Sequence, residues 1–232
     1  MRAPGAALRR IWTIVMNLRT YLLDLVFPPR CAFCHKFVES GDIRVCEHCK
    51  THLPFTTNQG CQKKDFVKLC VAPFYYENDV RASLLRFKFG NTPSYAKVYA
   101  PYMAACIQET LADQWDVLSW VPVSRRRLRQ RGYDQAEVLC RAVAEELDVT
   151  PVPLLIKHRH TKAQSSSGSA EKRKANIAGA YRLLDGADVK DCRILLIDDI
   201  ITTGSTMSEC ARTLGIGGAD SVVCATVARQ RG

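Results

Sequence analysis

The stretch "RILLIDDIITTGSTM", residues 193–207, decides how this chain is read. Four consecutive apolar residues, Ile194 to Ile197, run into two adjacent acids, Asp198 and Asp199, and then into Thr202, Thr203, Gly204, Ser205 and Thr206. A continuous apolar run of this length suits a strand buried in a parallel sheet. In open sheets of that kind, ligands bind beyond the carboxyl ends of the strands. Adjacent carboxylates repel, so their pairing calls for a cation, a bound pair of hydroxyls or open water. Gly204 permits a tight turn, and the amides and dipole of a following helix form a cradle for phosphate. The hydroxyls of Thr202, Thr203, Ser205 and Thr206 add donors. A ribose 5-phosphate satisfies both halves, with its hydroxyls on Asp198 and Asp199 and its phosphate in the loop. A plainer alternative stands beside it: Thr203 or Ser205 caps the helix and the acids are solvated.

Around this stretch the pattern alternates. "LCVAPFYY" (69–76) has strand character, and 79–89 and 95–112 have helical spacing. "VLSWVPV" (117–123) is a buried strand followed by a basic loop and a helix over 134–147. "AYRLL", the strand of residues 193–198, a helix over 205–214 and a last strand "SVVCATVA" complete the chain. Alternation of this kind predicts an α/β fold, a mostly parallel twisted sheet flanked by helices. The basic, serine-rich segment 157–176 breaks the pattern and is expected to be a solvated loop or a lid over a binding site.

The 232 residues carry 33 basic and 23 acidic side chains, a net charge of +10, which favours anionic partners such as phosphorylated metabolites, nucleic acid or an acidic membrane surface. Two places concentrate that charge. One is "VPVSRRRLRQRGYDQ", with Arg125, Arg126, Arg127, Arg129 and Arg131 in seven residues; the other is the 157–176 segment, with Lys157, Arg159, Lys162, Lys172, Arg173 and Lys174. Guanidinium forks suit paired phosphates, and arginines beside Tyr133 also suit single-stranded nucleic acid. A solvated basic turn is the bland alternative for many of these side chains.

Six of the eleven cysteines fall within residues 31–70. Cys31-x2-Cys34, eleven residues, then Cys46-x2-Cys49 gives four thiolates in two knuckles, a set that selects structural Zn²⁺ and leaves no position open for catalysis. His35, His48 and His52 are expected to be exposed. Cys61 and Cys70 lack Cys-x-x-Cys partners, which makes a second zinc site doubtful. Cys106, Cys140, Cys192, Cys210 and Cys224 sit singly in apolar segments and are expected in the core. At the N-terminus, Ile11, Ile14, Val15, Leu18, Leu22, Leu25 and Val26 follow amphipathic helical spacing, interrupted by Arg19 and Asp24. No run reaches the roughly 18 apolar residues of a membrane span. The expectation is a cytoplasmic protein whose N-terminal helix packs onto the chain's own body, with contact at the inner face of a membrane as the alternative. The expected organisation is an N-terminal amphipathic helix over 1–28, a zinc-ribbon module over 29–70 with a degenerate second knuckle, and the α/β domain over 71–232.

The run "ILLIDDIITTGSTM" resembles the signature of type I phosphoribosyltransferases, which use phosphoribosyl pyrophosphate (PRPP). More specifically the chain resembles the ComF family, cytosolic proteins linked to DNA uptake in competent bacteria, from "LLDLVFPPRC" onward. That family carries a zinc ribbon, an "RGFNQ" element, a T-x-x-Q and R-x-x-N lid and the signature; here these are "RGYDQ" (131–135), "TKAQ" (161–164), "RKAN" (173–176) and the signature itself. Asp134 and Tyr133 depart from the family's asparagine and phenylalanine. The resemblance implies a type I phosphoribosyltransferase-like domain that binds PRPP or a related phosphorylated ribose with Mg²⁺. Asp198 and Asp199 would hold the ribose, Thr202 to Thr206 the 5-phosphate, Ser124, Arg125 and Arg131 the pyrophosphate, and Gln164 and Arg173 would contact substrate from the lid. The acceptor of the phosphoribosyl group is not legible, and no residue stands out as a general base. The rival implication is a non-catalytic protein that binds single-stranded DNA, with the PRPP pocket a sensor or a relic; other competence proteins are further partners.

Overall fold

The computed structural model describes residues 28–38, 44–159 and 177–231. The expected N-terminal helix and most of the expected lid, including Gln164 and Arg173, lie outside the described residues. Two compact units divide between His52 and Leu53.

In the first unit, a short bridge pairs Arg30 with Phe37, and α1 spans Glu47–His52. The second unit begins well before the expected boundary at residue 70, because β1 (Gln62–Lys64) and β2 (Val67–Val71) belong to the main sheet. The expected strand 69–76 divides into β2 and β3 (Phe74–Tyr75) around Ala72 and Pro73. There follow α2 (Asn78–Phe89), α3 (Ala96–Leu111), β4 (Val117–Trp120), α4 (Arg125–Arg131) and α5 (Gln135–Leu147). Then come β5 (Leu155–Lys157), β6 (Tyr181–Leu183), β7 (Arg193–Ile201), α6 (Ser205–Ile216) and β8 (Ser221–Arg229).

Six strands form one sheet in the order β1-β2-β8-β7-β4, with β3 also on β8. All pairs in it are parallel except β1 with β2. β7 and β8 are central, and Ile194 to Ile197 are fully buried. Each such side chain contributes about 1.5–3 kcal/mol by leaving water. Three of the helices bury one face through a repeated spacing. Val80, Ser83, Leu84 and Phe87 in α2, Ala136, Leu139, Cys140 and Val143 in α5, and Met207, Cys210, Ala211 and Leu214 in α6 are all buried at i, i+3, i+4, i+7. The Ser83 and Tyr99 hydroxyls meet at 2.6 Å, which satisfies a polar pair where α2 packs on α3.

β5 and β6 form a separate antiparallel pair, packed on α6 through Leu155, Tyr181 and Leu214. The Gly179 amide donates to Glu209 Oε1 at 2.7 Å and fixes the segment entering β6 to α6. Among the described residues no helix is long and apolar enough to cross a membrane.

Candidate functional site

β7 pairs with β4 only as far as Ile197 but continues beside β8 to Ile201, so Asp198 and Asp199 lie just past the carboxyl end of β4. They open onto a cleft of about 300 Å³. Val121, Pro122 and Val123, just past β4, form one wall, and Thr202 and Thr206 form another. Four cations line it as well: Lys88 from the end of α2, Arg127 and Arg131 from α4, and Lys157 from β5.

The acids are not equivalent. Asp199 is buried and Lys88 Nζ lies 3.0 Å from its Oδ2. Asp198 Oδ1 accepts the Asp199 amide at 2.8 Å. Asp198 keeps some solvent contact, yet protein surrounds its carboxyl almost completely. That burial, and then the Asp199 charge beside it, push its pKa up to about 8. Arg131 is lowered by burial and supported by the charge of Asp199, and Lys157 is lowered by burial and by repulsion from Arg127.

The loop after the acids turns on Gly204, whose φ of +82° is the left-handed conformation that side chains resist. Gly204 is also the N-cap of α6, and no side chain caps it. Apart from the Ser205 amide, which Thr203 Oγ1 accepts, the first turn of α6 has no side chain of its N-cap on its amides and keeps the anion-binding capacity of a helix start. Thr203 and Ser205 do not line the cleft; their hydroxyls lie 2.9 Å apart, and Thr203 Oγ1 accepts the Ser205 amide at 3.4 Å.

The segment after "VPV" is not the expected basic loop. Residues 125–131 form α4, with Ser124 as its N-cap accepting the Arg127 amide, and left-handed Gly132 as its stop. Ser124 is buried as that cap, and Arg125, Arg126 and Arg129 are exposed away from the cleft. Helical geometry turns Arg127 and Arg131, four residues apart, to the cleft instead. Arg127 thus stands where Arg125 was expected. Gln135 Oε1 accepts from Arg131 at 2.5 Å and fixes its direction.

Asp134 is a scaffold residue. Its Oδ1 accepts the Ala136 and Glu137 amides at the start of α5, and its Oδ2 accepts the Val123 amide at 2.8 Å. One carboxylate thus ties the cleft wall to a helix. Burial pushes its pKa up against those three donors. Tyr133 donates its hydroxyl to the Phe87 carbonyl and packs its ring on Phe87, which makes it a link between α4 and α2.

Lys88 had no signal in the sequence beyond its place in "RFKFGN". Lys157, counted with the lid charges, lies instead on β5, its Nζ 3.0 Å from the Tyr181 hydroxyl.

In the first unit, Cys31, Cys34, Cys46 and Cys49 bring their sulfurs within 4.8 Å of one another, with Cys34 and Cys46 at 3.6 Å. Four sulfurs about 2.3 Å from a zinc ion stand roughly 3.8 Å apart, so the cluster fits zinc. The Cys46 amide donates to Cys31 Sγ at 3.4 Å. His35, His48 and His52 are exposed. Cys61 and Cys70 belong to the second unit, where Cys70 pairs in register with Cys224 in the core. No other metal-type cluster exists among the described residues.

Two domain families match the sequence: a phosphoribosyl transferase domain over residues 134–232 and a double zinc ribbon domain over 22–65. Among curated proteins, Competence protein F of Haemophilus influenzae is 27% identical over 194 residues, covering 79% of this chain and 83% of that protein. Competence protein ComFC of Streptococcus pneumoniae is 29% identical over 197 residues, 83% of this chain and 84% of that one. DNA utilization protein YhgH of Escherichia coli is 32% identical over 102 residues, 44% of each chain. The chain is thus a homologue of Competence protein F and ComFC, joining a double zinc ribbon domain to a phosphoribosyl transferase domain.

Proposed function

We propose that the second unit binds PRPP with Mg²⁺ and transfers its phosphoribosyl group to a nucleophile, in a protein that serves DNA uptake. The observation that carries this is the pairing of Asp198 and Asp199 with the start of α6 on one side and Arg127 and Arg131 on the other, around one cleft. Ribose hydroxyls would donate to the two carboxylates, the 5-phosphate would take the α6 amides with Thr202 and Thr206, and the pyrophosphate would lie against Arg127 and Arg131. The oxygen-only donor set of carboxylates and hydroxyls suits Mg²⁺, which would shield pyrophosphate charge.

In the transfer, the bond from C1 of the ribose to the pyrophosphate oxygen breaks, and its electron pair leaves with pyrophosphate. The acceptor supplies the pair for the new bond at C1 and loses a proton to solvent or to the departing phosphate. As C1 becomes electron-poor, the carboxylates at the ribose hydroxyls and the cations at the leaving group both favour the separation of charge. In the first unit, Cys31, Cys34, Cys46 and Cys49 would hold a structural zinc in place of a hydrophobic core.

A second reading has its own observation. Arg125, Arg126 and Arg129 point away from the cleft on exposed faces of α4, a phosphate-backbone surface that the transfer reaction does not use. On that reading the protein binds single-stranded DNA and the cleft senses PRPP. Calorimetry with PRPP and Mg²⁺ tests the first reading: wild type should bind, and Asp198→Asn with Asp199→Asn should not. Equal binding by the double variant would reject it. Single-stranded DNA binding that survives the double variant and weakens steeply with salt would support the second.

A further inference from the structure

Beside the first cleft lies a second, of about 600 Å³, lined by Lys88, Phe89, Asn91, Arg127, Gln130 and Arg131. The two clefts share Lys88, Arg127 and Arg131, so they meet at a wall of cations. No acid lines the second cleft. Its floor carries a large apolar ring in solvent: Phe89, the last residue of α2, is 69% exposed. The Arg131 guanidinium lies 4.9 Å from the centre of that ring, held from behind by Gln135. Arg127 is half-buried, and its guanidinium makes no hydrogen bond or ion pair with any described residue. A cation with no partner among the described residues, beside an exposed aromatic ring that carries one guanidinium, with amide groups of Asn91 and Gln130 at the edge, matches a ligand that is both flat and anionic. Aromatic stacking supplies the affinity for the ring, and guanidinium forks supply it for the phosphate.

We propose that this second cleft binds a nucleotide, its base stacked on Phe89 and its phosphate between Arg127 and Arg131. The inference rests on the proposed function and deepens it, because Arg127 and Arg131 face both clefts and a nucleotide phosphate on them takes the cations proposed for pyrophosphate, so the nucleotide competes with PRPP. It also stands apart from that function, since Phe89 takes no part in the first cleft.

The test is a titration of full-length, zinc-loaded protein with dTMP and, separately, with inorganic phosphate. Wild type should bind dTMP more tightly than phosphate. Phe89→Ala should weaken dTMP fivefold or more, the lower end of what stacking one base contributes, and leave phosphate and PRPP unchanged. Arg127→Gln should weaken dTMP and phosphate together. A 5′-phosphorylated oligothymidylate bound more tightly than dTMP, and still lost in Phe89→Ala, would name a strand end as the source of the nucleotide; equal binding would name a free nucleotide. Because Phe89 is exposed, its replacement does not threaten the fold. Equal affinities of wild type for phosphate and dTMP, or unchanged dTMP affinity in Phe89→Ala, would overturn the proposal. Loss of PRPP binding in wild type, with Phe89-dependent dTMP binding intact, would reject the phosphoribosyl reading and leave this site standing.

Discussion

Replacing Asp134 isolates how the cleft wall is held. Its carboxylate accepts three backbone amides, two at the start of α5 and that of Val123 in the wall. Asp134→Ala removes an N-cap, which costs about 1 kcal/mol. It also leaves the partly buried Val123 amide without its acceptor, which costs about 1–3 kcal/mol. Burial has pushed this carboxyl's pKa up, so removing it also relieves some desolvation. The net expectation is a loss of about 2 kcal/mol. Asp134→Asn keeps the capping oxygen but turns an amide group toward the Val123 N–H, so its loss should be about half as large. Urea unfolding followed by tryptophan fluorescence checks both, since Trp120 lies in β4 and Trp115 just before it. Val121 to Val123 line the cleft, so Asp134→Ala should weaken PRPP binding as well. Losses below about 0.5 kcal/mol in Asp134→Ala, or an asparagine variant as unstable as the alanine one, would refute this account of the wall.

Purified protein should carry about one zinc per chain by elemental analysis, and Cys46→Ser should lose it and destabilise the first unit. For PRPP binding, Arg127→Gln should cost about tenfold and Arg125→Gln less than about twofold, because only Arg127 faces the cleft; calorimetry reads the difference. The folded-state pKa of Asp198, about 8, lies above its ordinary value of 3.8, so the folded protein binds more protons than the unfolded chain between them. Stability of the ligand-free protein should therefore fall as pH rises through that window. Asp198→Asn should flatten the fall in urea midpoints measured at pH 5, 6.5 and 8, and an unchanged slope would contradict the assigned burial.

What the sequence made legible follows from which signals are local. The strand-acid-glycine run is contiguous, so the sheet edge, Asp198, Asp199 and the turn at Gly204 could be placed without any tertiary information. The four zinc-type cysteines are likewise two local pairs. Arg125 and Arg127 could not be separated, because choosing between them requires the axis of α4, and five arginines in seven residues carry no apolar stripe to define one. Lys88 was invisible for a deeper reason. Its partner Asp199 is 111 positions away, and only the packing of α2 brings them to 3.0 Å. The extent of the sheet is hidden in the same way: Val67 to Val71 is a short stretch, broken by Lys68, that holds the last of six clustered cysteines, and only its pairing with β8 shows where it belongs.

That pairing bears on where the functional unit begins. The phosphoribosyl transferase match covers 134–232, yet three cations of the cleft, Lys88, Arg127 and Arg131, precede it. So do β4, which pairs with β7 along Ile194 to Ile197, and β2, which pairs with β8. A fragment starting at 134 would leave both central strands with an open apolar edge. It would also leave Asp199 without its counter-charge, and Asp134 without the Val123 amide that it holds. The matched segment therefore contains the acids but not the conditions that make two adjacent acids tolerable. Those come from residues 53–133, which makes the whole of 53–232 the unit in which the chemistry of Asp198 and Asp199 has to be understood.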